Sequence, residues 1–150
     1  MKLAEALQER ADLNRRIEQL KQRLGASAIV QEGEQPPEDP AGLLAELNGC
    51  LGNLEWLITQ INLTNCSTQV GGECLTALLA RRDVLKLKLS AYRDLAYHAS
   101  QLTHRATRTE IKVVSTVKVA DIQKQADALA KELRALDNTL QAANWATELL

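Results

Sequence analysis

The chain has 150 residues, a formal net charge of -1 and 45% hydrophobic residues, with two Trp, two Tyr and no Phe. The near-zero charge gives no electrostatic basis for binding nucleic acid or an anionic membrane surface. Three cysteines, an odd number, argue against a secreted disulfide framework.

The first element is read as a helix over about 2–24. Leu3, Ala6, Leu13, Ile17, Leu20 and Leu24 recur at three- and four-residue spacing, the period of one helical face, and Gly25 supplies a stop. The segment 26–40 changes character. Residues 28–32 read as a short extended piece, and the acidic, proline-broken run that follows ends in Asp39-Pro40, an N-cap before proline at the first helical position. The second helix is expected over about 40–65, on a seam of Leu44, Leu47, Leu51, Leu54, Ile58 and Ile61. Gly42, Gly49 and Gly52 weaken it in isolation, each by about 1 kcal/mol relative to Ala. Val70-Gly71-Gly72 reads as a turn, and the third helix runs over about 73–101 through Leu75, Leu78, Leu85, Leu89 and Tyr92.

From Thr109 to Val119 the period drops to two. β-branched residues alternate with Glu110, Lys112 and Lys118, which predicts a strand of about 109–119. Its expected partner is 28–32 or its own copy in a second chain, since a lone strand leaves an open edge. The alternative is extended loop without pairing. The fourth helix is expected over about 120–148, on Ile122, Ala126, Leu129, Leu133, Leu136 and Leu140. Together these elements predict a mainly all-α protein, an antiparallel bundle of four long helices in one domain spanning 1–150, with the short β segment at one end.

Counted along the heptads, Trp56 and Trp145 fall away from their seams. The third helix carries a second apolar stripe at Val84, Leu87 and Leu95. Helices apolar on two sides are buried on two sides, so Trp56, Val84, Leu87, Leu95 and Trp145 are the expected contacts of a homo-oligomer. Arg10 and Arg82 interrupt seam positions; Glu55 or Glu148 would pair with them, unless both guanidinium groups reach solvent along their stems.

Little in the sequence carries chemistry. Cys50, Cys66 and Cys74 match no zinc spacing. A di-metal bundle would need Glu three residues before His, but Leu95 precedes His98 and Gln101 precedes His104. No nucleophile motif or phosphate-binding glycine loop is present, and no cofactor or metal is expected. Glu32, Glu34, His104, Arg105, Arg108 and Glu110 converge on one end of the predicted topology, a mixed-charge cluster that would bind a small anion or a metal if it is more than a solvated rim. The opening residues show no export signal and no apolar run approaches a membrane span, so a cytoplasmic setting is expected and membrane contact is disfavoured.

Several segments carry a family likeness: Met1-Lys2-Leu3-Ala4-Glu5-Ala6-Leu7, Val30-Gln31-Glu32-Gly33-Glu34, Leu79-Ala80-Arg81-Arg82-Asp83-Val84-Leu85, Thr109-Glu110-Ile111-Lys112-Val113-Val114-Ser115-Thr116-Val117 and Gln141-Ala142-Ala143-Asn144-Trp145. With these the chain resembles the septicolysin-like bacterial proteins, common in actinobacteria, a family of unknown function. The resemblance brings no catalytic residues. Its toxin-like name implies a pore-forming cytolysin, for which 109–119 would be the inserting segment. The residues themselves favour a non-enzymatic homo-oligomer, a structural or interaction module whose partner is itself. The cytolysin and a small-ligand or metal-binding protein are the alternatives.

Overall fold

The computed structural model describes residues 1–102 and 111–150. The described chain is mainly α-helical, with four long helices: α1 (Leu3–Ala26), α2 (Pro40–Ser67), α3 (Leu75–Ser100) and α4 (Val119–Ala146). One small antiparallel hairpin, β1 (Gln69–Val70) with β2 (Glu73–Cys74), links α2 to α3. Its two-residue turn, Gly71-Gly72, has φ of 60° and 85°. Positive φ at both central positions is what a tight hairpin turn matching the strand twist needs, and glycine adopts it without a Cβ penalty.

The chain divides into two compact units. The first comprises Met1–Cys74 with Ala143–Leu150. Its helices α1 and α2 run antiparallel, as two cross-pairs fix: Arg16 Nη2 lies 2.6 Å from Glu46 Oε1, and Arg23 Nε donates to Glu38 Oε2 at 2.9 Å. Between the helices, Ile17 and Leu20 pack with Leu43 and Cys50, and half-buried Leu13, Leu24, Leu47 and Leu54 lie against them. Both helix starts are held. The Glu5 carboxylate accepts from the Lys2 N–H at 2.7 Å, and the Asp39 carboxylate accepts from the Ala41 and Gly42 N–H groups, each at 3.2 Å; these satisfy donors that a helix start otherwise leaves open. The first and last residues run side by side. Leu3 N–H donates to Thr147 O and Leu149 N–H to Met1 O, both at 2.9 Å, around a bridge between Lys2 and Glu148.

The second unit, Leu75–Ala142, holds α3 and most of α4. Leu85 and Leu89 of α3 pack with Ala126 and Leu129 of α4, flanked by Tyr92, Ala130 and Leu133. Their spacing is the 3-4 repeat that the sequence displayed, now as a two-helix seam.

Two expectations fail. Among the described residues of the 109–119 segment, 111–118 form no strand; residues 109 and 110 lie outside the described residues. The segment 28–32 is not a strand either, and Ile29 is 88% exposed. A β-branched alternation becomes a strand only when a partner supplies the ladder, and neither segment finds one here. Ser115 illustrates the alternative: its hydroxyl accepts from the Val117 N–H and donates to the Val117 carbonyl, so local side-chain bonds replace the ladder.

Candidate interaction face

The candidate face lies on α2. This helix is apolar over most of its circumference: Glu46 and Glu55 are its only charges, and Glu46 is held by Arg16 at 2.6 Å. That contact raises the Arg16 pKa above its ordinary value, the hydrogen bond to Glu46 being the largest cause.

The buried stripe of α2 is Leu43, Cys50, Leu57 and Thr64, joined by Ile61. The seam expected from the sequence sits one residue away, and half of it is exposed: Leu44 is 49% accessible, Leu51 43% and Ile58 39%. One residue is 100° of helical rotation. Leu43, Cys50 and Leu57 therefore point toward α1, Leu47 and Leu54 point along the edge of the core, and Leu44, Leu51 and Ile58 point beyond it. The α1–α2 core is thus open on one flank. Its half-buried leucines, Leu47 and Leu54, run directly into the exposed ones.

The other interface candidates are all at the surface. Trp56 is 55% exposed and Trp145 59%, and Val84, Leu87 and Leu95 are exposed on α3. Trp56 and Trp145 belong to the first unit and the α3 residues to the second, so no single face of one unit gathers all five.

Of the charged-end candidates, Glu32 and Glu34 are exposed, and His104, Arg105, Arg108 and Glu110 lie outside the described residues. Glu34 borders an open depression of about 510 Å³ with Ile29, Val30, Gln35 and Pro37. Among the described residues, no group of three His, Cys, Asp or Glu side chains is placed to hold a metal ion. None of the three cysteines is joined in a disulfide; Cys50 is buried, Cys74 half-buried and Cys66 exposed. Neither arginine that interrupts a seam uses the carboxylates expected for it in a bond that defines the site: Arg82 reaches Asp83, its sequence neighbour, at 3.2 Å, and Glu148 is held by Lys2 and the Met1 amino group. Short local ion pairs at the surface form without ordering a long side chain across the core.

The sequence signal for the open flank was present, as the Leu44-Leu51-Ile58 repeat. Its reading was inverted, because a helix apolar all round has no unique buried face in its pattern alone.

Comparison with known proteins places these features. The model of a family described as "Family of unknown function (DUF6847)" matches residues 10–149. A crystal structure of a functionally unknown conserved protein from Corynebacterium diphtheriae has the same fold, with a TM-score of 0.94 and 42% identity, covering 100% of this chain and 99% of the other. No curated protein matches the chain. The septicolysin-like label rests on the sequence resemblance alone; the matched family carries no activity in its description. Among the described residues, no helix is long and apolar enough to cross a membrane.

Proposed function

The chain belongs to the family of unknown function DUF6847, and we propose that it works as a self-associating helical module, with a structural or interaction role rather than a catalytic one. The observation that carries this reading is the open flank of the α1–α2 core. Three large aliphatic side chains at heptad spacing, Leu44, Leu51 and Ile58, are 39–49% exposed directly beside half-buried Leu47 and Leu54. Two helices cannot close a core around themselves; helices with such a stripe bury it against further helices. A second copy supplies them by symmetry, the commonest route for a chain this size. Exposed Trp56, Trp145, Val84, Leu87 and Leu95 add apolar surface that the same association can cover.

The test is the mass in solution by light scattering after gel filtration, across about 1–100 μM, a span that brackets weak to moderate association. A mass above 16.5 kDa that rises with concentration supports the reading. Leu51→Lys should then return the protein to a monomer with unchanged helix content. A monomer at every concentration overturns the reading.

The septicolysin-like resemblance supports a second reading, a pore-forming cytolysin. Release of dye from liposomes distinguishes it: leakage at protein concentrations where the solution mass is monomeric favours the cytolysin, and intact liposomes favour the module.

A further inference from the structure

We infer that a groove between α3 and α4 binds a small zwitterion, an α-amino acid with an aliphatic side chain. The groove lies within the second unit, whereas the open flank of α2 belongs to the first. The inference therefore goes beyond the self-association reading and does not depend on it.

The groove has a local cause. Leu85 and Leu89 of α3 pack with Leu129 of α4 along the seam. Nearby, the seam residues are Ala96 and Ala126, each 5% exposed. Methyl groups in place of leucines leave a depression of about 290 Å³ above them. That is the small end of the range for ligand pockets, about 300–1,000 Å³.

Its walls are polar and of opposite charge. Arg93, Tyr97 and Ser100 line it from α3, and Gln123 and Asp127 from α4. Spacings of three and four residues put each set on one face of its helix. The Arg93 and Asp127 side chains border the same groove, yet neither forms an ion pair or hydrogen bond with another residue. Closing the groove to join them would make an exposed pair, which contributes little. Ser100 Oγ donates to the Tyr97 carbonyl at 2.7 Å and keeps its own lone pairs for a donor.

This donor and acceptor set selects the ligand class. A guanidinium offers a planar fork that matches a carboxylate. An ionised Asp only accepts, so it calls for an ammonium or another donor. A simple anion would satisfy Arg93 and meet a like charge at Asp127; a simple cation would do the reverse. A molecule carrying both charges on adjacent atoms satisfies both walls. An aliphatic side chain on it would rest on the methyl groups of Ala96 and Ala126, which removes apolar surface from water.

The experiment is a titration of the isotope-labelled full chain with L-leucine, N-acetyl-L-leucine and L-leucinamide, followed by amide chemical shifts. The two derivatives each lack one of the ligand's charges. L-leucine should give saturable shifts at 93–100 and 123–127, with half-saturation at about 1 mM or below. Each derivative should bind roughly tenfold more weakly, as should leucine to Arg93→Gln and to Asp127→Asn, since each change removes one charge-assisted hydrogen bond. All of these side chains are exposed, so the variants should keep the wild-type helix content. Lys88 and Glu132 border a second depression between the same two helices, and Lys88→Gln with Glu132→Gln is the control that should leave binding unchanged. No saturation by about 20 mM, equal binding of either derivative, or an equal loss in the control would each overturn the inference.

Discussion

The Thr64 hydroxyl joins α2 to the last residue of the chain: it accepts the Leu150 N–H at 3.1 Å while donating to the Gln60 carbonyl at 2.8 Å. Thr64 is 1% exposed, so no water can replace either bond easily. Thr64→Val keeps the shape and removes both, leaving a part-buried N–H without its acceptor. The expected loss is about 1–2 kcal/mol, read as a lower urea midpoint at unchanged slope. Thr59→Val, whose exposed hydroxyl bonds the Glu55 carbonyl, is the control and should stay within about 0.5 kcal/mol.

Acid should loosen the contact between the first and last residues. Lys2 and the Met1 amino group, through hydrogen bonds to Glu148, hold its pKa below the ordinary 4.5. A depressed carboxylate contributes stability that is present above its unfolded pKa and lost as pH falls through the folded one. The loss is therefore expected below about pH 4.5. Glu38 behaves alike, its pKa lowered by the hydrogen bond from Arg23. Glu148→Gln with Glu38→Gln should flatten the stability profile between about pH 5 and pH 3, followed by urea unfolding at each pH. A profile as steep as that of the wild type would show that other carboxylates govern the acid response.

Asp39→Ala removes the acceptor of the Ala41 and Gly42 N–H groups at the start of α2. A lost N-cap of this kind costs about 1 kcal/mol. Asp39→Ser should recover most of it, since a hydroxyl can cap in the same way.

Gly49 and Gly52 sit inside α2 with nothing within 4 Å of where a Cβ would be. Their φ values are not positive. Gly49→Ala should therefore raise stability by about 0.5–1 kcal/mol, through a less flexible unfolded chain and better helix propensity. Thermal unfolding at fixed protein concentration reads this directly; a drop in midpoint would mean that something occupies the space above Gly49 in solution.

Helix positions were legible because caps and breakers are local. Asp39-Pro40 opens α2 at Pro40 as expected, and Gly71-Gly72 turns the chain where the sequence indicated. The two-residue strands beside that turn were not read, since Gln69-Val70 and Glu73-Cys74 are too short to show alternation. The opposite error came at 109–119 and 28–32, where composition suggested strands; pairing is a property of two segments, and the sequence of one cannot supply it. The α2 seam shows a third kind of failure. Leu43 and Leu44, Cys50 and Leu51, Leu57 and Ile58 are adjacent apolar pairs, so periodicity admits two faces 100° apart, and only α1 decides between them. The exposure of Trp56 and Trp145 was readable because each stands off the seam of its own helix.

The scarcity of charge on α2 has a thermal consequence. With Glu46 tied to Arg16 and Glu55 the remaining ionised side chain of a 28-residue helix, contacts made through its outer side would gain little from Coulomb attraction and lose little to added salt. Their driving force would be the release of water from aliphatic surface, which weakens on cooling and carries a negative heat-capacity change. Any association through this side, if the proposed one forms, would then be weakened more by chilling than by raising ionic strength.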